Sequence, residues 1–109
     1  MSSDPDHFEL FAGPLAALAN PHRLRIIAIL KRHGRQYVSE LARMAGMSRP
    51  LLYLHLEKLE TAGLVTSHLS ISADGKALKW FEVCDFAIRI SPQAIAALAD
   101  PIITPEDQP

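Results

Sequence analysis

The chain contains a single cysteine, Cys84, which excludes an intramolecular disulfide framework and any multi-cysteine zinc site, although a bridge between two copies stays open. No apolar run approaches the roughly 18–20 residues that a bilayer span requires. A basic and then apolar leader is also missing: the first residues, Met1-Ser2-Ser3-Asp4-Pro5-Asp6, are acidic, and the expectation is a cytoplasmic protein with no membrane partner. The sequence has no glycine-rich phosphate loop, no paired carboxylates on one face and no Ser/His/Asp order, so enzymatic function is not expected. The histidines, His7, His22, His33, His55 and His68, include no i, i+4 pair. A metal site would have to be assembled from unrelated parts of the chain or across a dimer, and neither metal nor cofactor is expected.

What is present is ordinary globular composition: 109 residues, 49% hydrophobic and 21% charged. That length suits one domain with one core, placed at residues 1–100, with a flexible tail at 101–109 marked by Pro101, Pro105 and Pro109. The formal net charge of -1 conceals a division along the chain. Between His22 and Lys79, ten lysines and arginines face four carboxylates for a net of +6, which leaves -7 for the flanks. A basic middle between acidic ends suits a phosphate-binding surface, with the termini doing something else.

Phe8, Phe11, Leu15 and Leu18 form one apolar stripe and predict a first helix over Pro5 to Ala19, interrupted or kinked near Gly13-Pro14. Asn20-Pro21 is a cap followed by proline, and Leu24, Ile27, Ala28 and Leu30 then repeat at helical spacing in a second helix that stops at Gly34. Ser39 is read as the cap of a short third helix ending at Gly46. Ser48 caps a fourth, with Pro50 in its first turn and Leu52, Leu56 and Leu59 on its buried side, ending at Ala62-Gly63. Beyond Gly63 the period drops to 2. Val65, Leu69 and Ile71 predict a strand, Asp74-Gly75 a two-residue type I' turn, and Phe81 and Val83 a return strand that could run on to Ile90. Ser91-Pro92 starts a last short helix through Ile95 to Leu98.

This order predicts a mainly α fold with a β-hairpin: a helix-turn-helix whose turn is Ala45-Gly46-Met47-Ser48, followed by a β-wing. In such a fold the helix opening at Ser48 enters the major groove by its N-terminal residues. Arg49 would read a base or clamp a phosphate, and Lys76 and Lys79 on the wing would reach a flanking phosphate or the minor groove. Helix N-termini attract phosphate, which makes Ser39 a second candidate contact.

The segments Leu18-Ala19-Asn20-Pro21-His22-Arg23-Leu24-Arg25-Ile26-Ile27, Val38-Ser39-Glu40-Leu41-Ala42, Ser48 to Leu56 and Leu59-Glu60-Thr61-Ala62-Gly63-Leu64-Val65 together resemble the ArsR-type winged-helix transcriptional regulators. The resemblance covers roughly residues 8 to 83. It implies a homodimer that binds a palindromic operator in double-stranded DNA and acts as a repressor, paired through its first and last helices, here by Phe8, Phe11, Leu15 and Ile95. The residues read as DNA contacts are Arg49 with Tyr53 in the major groove, Pro50 beside them on the same helix, Ser39, Ser48 and Lys58 on the DNA backbone, and Lys76 with Lys79 on the wing. The chain lacks the Cys-x-Cys pair and the last-helix Asp and His ligands of the family's metal sensors. Its inducer is then not expected to be a metal held by those ligands; a small-molecule effector stays open, and the sequence does not identify the signal.

The recognition helix also departs from the family in being apolar, with Pro50, Leu51, Tyr53 and Leu54 where small polar or basic residues are usual. Contacts to thymine methyls, a Tyr53 hydroxyl on a phosphate and Arg49 on a guanine fit these residues; packing of Leu51 or Leu54 on the wing or a partner fits them too. A winged-helix module that binds protein rather than DNA is the alternative. His55 has two readings, partly buried or facing DNA. Packing is the preferred role for Trp80 and for Cys84 over a ligand contact or a redox switch.

Overall fold

The carboxylate of Asp6 accepts a hydrogen bond of 2.7 Å from the Glu9 N–H and so satisfies one of the open donors of α1 (His7–Leu18). The computed structural model describes residues 6–102, so most of the tail expected to be flexible, residues 103–109, lies outside the described residues. α1 runs unbroken through Gly13-Pro14, which rules out the interruption that was one of the two sequence expectations there. Proline removes one N–H from the ladder, and the alanines after it, Ala16 and Ala17, are strong helix formers that carry the helix on.

Asn20 Oδ1 accepts from the N–H groups of His22 and Arg23 at 2.8 and 3.3 Å, and α2 (Pro21–His33) follows and ends at Gly34, whose φ is 76°. The buried side of α2 is the predicted one at Leu30 and Ile27 and differs at Leu24 and Ala28. Ile26 and Leu30 point into the core, with Ile27 and Ile29 beside them, while Leu24 and Ala28 are exposed. Six of the seven residues from Leu24 to Leu30 are apolar, so periodicity could not select a face and packing did.

A two-residue strand, β1 (Gln36–Tyr37), precedes α3 (Val38–Ala45) and was not predicted, since two residues carry no period. It also displaces the expected cap. Tyr37 is held extended opposite Trp80, so α3 starts at Val38 with no side-chain cap, and Ser39 is the second residue of the helix. Gly46 ends α3 in the left-handed conformation, φ 67°, as predicted. Ser48 caps α4 (Arg49–Thr61) by accepting from the Leu51 N–H, and Leu52, Leu56 and Leu59 are buried as predicted.

The strands β2 (Val65–Ile71) and β3 (Ala77–Val83) pair in antiparallel register from Val65–Val83 to Ile71–Ala77, and β1 pairs with the other edge of β3, giving the order β1-β3-β2. The connecting turn differs from the type I' prediction. Ser72 N–H donates to the Lys76 carbonyl at 2.8 Å, enclosing a three-residue loop, and only Gly75, φ 85°, has positive φ. A three-residue hairpin needs one left-handed residue rather than two, which spares Asp74 the strain. Its carboxylate instead bonds the Ser72 hydroxyl, which holds the acid below the ordinary carboxylate range. β3 stops at Val83 rather than continuing to Ile90; Cys84 N–H turns back to the Leu64 carbonyl at 2.9 Å, and Phe86 packs on the core from an irregular stretch.

Ser91 caps α5 (Pro92–Ala96), and a 3-10 helix (Ala97–Ile102) lies against α1. The centre of the core is Phe81 of β3 and Val65 of β2, with Ile26, Leu30, Leu41, Leu52, Leu56 and Leu59 from the helices. Leu69 and Ile71 continue the alternation of β2 beyond this core and are 71% and 70% exposed.

Candidate nucleic-acid interface

The N-terminal turn of α4 is exposed at Ser48, Arg49 and Pro50, and Tyr53 follows Arg49 one turn later on the same side. Arg49 and Tyr53 form one wall of a cleft of about 270 Å³. Ser39 at the start of α3, with Tyr37 and Val38 before it, and Leu69, Ala77, Leu78 and Lys79 of the wing line the rest. Four residues singled out from sequence, Ser39, Arg49, Tyr53 and Lys79, therefore converge, although they come from three separate elements. The Lys79 ammonium lies 6.0 Å from the Tyr53 ring centroid and 5.5 Å from that of Phe81, so the two aromatic faces help to place it.

Lys76 stands apart at the hairpin tip, with its Nζ 4.0 Å from Asp74 Oδ2. Lys58 is separated too. It lies nine positions after Arg49, about half a turn around α4, and lines a larger cavity of about 600 Å³ with Gly13, Ala16 and Ala17 of α1 and Arg23 of α2. Of the other cations of the basic middle, Arg43 is paired with Glu40, whose carboxyl it holds below the usual carboxylate range. Arg35 lies over the Trp80 ring, 4.3 Å from its centroid.

His55 is buried at 8% exposure, which resolves its two readings in favour of the core side of α4. Arg23 Nε donates to His55 Nδ1 at 3.2 Å, and Arg23 Nη1 donates to the Ala17 carbonyl at 3.4 Å, so one guanidinium joins α1, α2 and α4. A ring nitrogen that accepts from arginine carries no proton, which leaves the neutral imidazole with its N–H on Nε2, an atom without a partner among the described residues. Burial, then Arg23, then His22 push the His55 pKa below its ordinary 6.5. Above about pH 6.5 folded and unfolded chains both hold this histidine neutral. As pH falls below that value the unfolded chain takes up the proton first, so stability should drop until the lower folded pKa is passed and then level off. Urea unfolding at a series of pH values, compared with His55→Gln, checks this. The variant should show a shallower fall, and equal slopes would assign the effect to another group.

Trp80 is half-buried on the sheet, where His68 stacks on it with centroids 4.3 Å apart and holds Glu82 through Nε2 at 3.2 Å. Cys84 is a half-buried free thiol. Sequence reasoning missed Leu69 as a wall of the cleft and Arg23 as the tie between helices. The period-2 pattern assigned Leu69 to the core, whereas its position toward the hairpin tip, four residues beyond the buried Val65, marks it as beyond the helices. On α1, Phe8 is 49% exposed, Phe11 and Leu15 are half-buried and Leu18 packs on the core, and Ile95 of α5 is 40% exposed, so the apolar stripe is uncovered at its N-terminal end. Among the described residues no helix is long and apolar enough to cross a membrane, and no three His, Cys, Asp or Glu side chains are grouped as metal ligands would be.

The sequence profile of the bacterial regulatory proteins of the ArsR family matches residues 20–67, from the cap of α2 into β2. An uncharacterized HTH-type transcriptional regulator of Methanocaldococcus jannaschii is 37% identical over 82 residues, which is 75% of this chain and 84% of the relative. Among solved structures, NolR from Sinorhizobium fredii superposes with a TM-score of 0.63 at 26% identity, over 94% of this chain and 97% of its own. The homodimeric winged helix-turn-helix DNA-binding domain of a Mycobacterium bovis protein gives 0.59 at 24% identity, over 76% and 75%. The helix pair, the wing and the cleft between them, together with these likenesses, define a winged helix-turn-helix DNA-binding transcriptional regulator and not an enzyme. Within that class the chain belongs to the ArsR family.

Proposed function

We propose that the protein is a homodimeric, sequence-specific repressor that acts in the cytoplasm on a palindromic operator. The observation that carries this reading is the convergence of Ser39, Arg49, Tyr53 and Lys79 on one cleft between the helix-turn-helix and the wing. In this reading Arg49 contacts a guanine edge or a phosphate from the first turn of α4, beside Ser48 and Pro50. Tyr53 and Ser39 offer hydroxyls to the backbone, while Lys79 and Lys76 neutralise phosphates along the wing. Lys58 takes no part in the cleft and is left to a phosphate outside it. Phe8, Phe11, Leu15 and Ile95 form the dimer contact, a role supported by the exposure of Phe8 and Ile95 and by the homodimeric state of the Mycobacterium bovis neighbour. A small-molecule effector belongs to the same reading, supported by a solved neighbour of the same fold, NadR, which is in complex with 4-hydroxyphenylacetate.

The test is selection of bound sequences from random duplex DNA, with affinity for the winner measured at two salt concentrations. An enriched inverted repeat whose affinity falls steeply with salt is the expected result, since each phosphate contact releases counterions. The exposed Leu51 and Leu54 favour one rival, a module that docks protein. Failure to enrich any sequence, with salt-insensitive binding to a protein, would establish that rival instead.

A further inference from the structure

The outward side of α4 is unusual for a surface that meets DNA. Leu51 is 40% exposed and Leu54 61%, with Tyr53 between them, and no carboxylate occurs from Arg49 to Leu56. Across the cleft the wing adds Leu69 beside Lys79. Apolar side chains of this size are normally covered, and here Leu51 and Leu54 share a side of α4 with Lys58, one turn beyond Leu54, next to the side from which Arg49 and Tyr53 face the cleft; cations on both sides of the leucines fit a polyanion and not a cationic partner.

Within a DNA groove only one base-edge feature rewards an apolar side chain, the C5-methyl of thymine. A leucine set over a guanine edge or the cytosine amino group would strip water from a donor or acceptor and return nothing to it. We propose that this protein reads its operator largely by thymine methyl groups, with Leu51 and Leu54 as the specificity-determining residues of α4 and Leu69 closing the cleft from the wing. Arg49 supplies the one bidentate hydrogen-bond contact, to a guanine. The half-site is thus a guanine neighboured by thymines whose methyls cannot be removed without loss. This inference rests on the DNA-binding reading above and adds the chemistry by which bases are told apart.

The experiment replaces thymines of the selected operator, one at a time, by deoxyuridine, which keeps pairing and hydrogen-bonding groups and deletes only the methyl. Affinities are measured for the wild-type protein, Leu54→Ala and Leu51→Ala. Wild type should lose about 3- to 5-fold at each contacted thymine, the amount expected for one buried methyl group. Each alanine variant, altered only at an exposed position, should bind more weakly and become indifferent to the methyl at one thymine while keeping its sensitivity at the others. Wild-type affinity unchanged by uracil at every position would overturn methyl readout while leaving the repressor reading intact. Retention of the full uracil pattern in both variants would overturn the assignment of that readout to Leu51 and Leu54. Absence of specific DNA binding altogether would overturn both.

Discussion

Phe81→Ala should cost about 3–5 kcal/mol of folding free energy, more than any single change in the cleft. Phe81 is 1% exposed at the centre of β3, opposite Ser67 on one side and Gln36 on the other, and it closes the sheet onto α4. The three-stranded sheet is too small to refill the space, so most of the cavity would persist. Against a total stability of about 5–15 kcal/mol for a domain of this size, such a loss leaves a protein near its unfolding threshold at 37 °C. Urea titration followed by circular dichroism measures it directly, and a loss below about 1 kcal/mol would show that the helices hold together without the sheet.

Arg49→Ala is the second large effect, and its signature is the opposite one. Ser48 still caps α4 and the side chain is exposed, so the fold should be unaltered. Affinity for the selected operator should fall by about 1–3 kcal/mol, roughly 5- to 150-fold, with discrimination relaxed at one base pair. Binding to mixed-sequence DNA should change much less, because it depends on summed charge and not on one base. An operator affinity equal to wild type would remove Arg49 from the interface.

The two variants divide along the line between what the chain states locally and what it states only when folded. α4 could be read from the sequence because its signals agree: Ser48 before Arg49-Pro50, leucines at 52, 56 and 59, and Gly63 beyond the end. The buried face of α2 was ambiguous because apolar residues surround it. β1 was invisible because its only determinant is the partner strand forty residues later. The hairpin was right in place and wrong in type, since Asp-Gly serves the three-residue loop as well as the two-residue one. In the site, residue chemistry was legible while proximity was not. Ser39 was chosen as a cap it does not provide, yet it reaches the cleft because β1 pulls the start of α3 toward the wing. Lys58 was chosen by charge, and the helical period places it on the other side.

The stack on the sheet has a practical side. Trp80 is the one tryptophan in the chain, and its surroundings are borrowed from both neighbouring segments: the His68 ring from β2, and the Arg35 guanidinium from the residue leading into β1. Indole emission is sensitive to such polar and cationic neighbours. The chain therefore carries its own fluorophore at the root of the wing, where detachment of either strand changes the signal without a label. Wing motion on DNA can be followed by excitation of a single natural side chain.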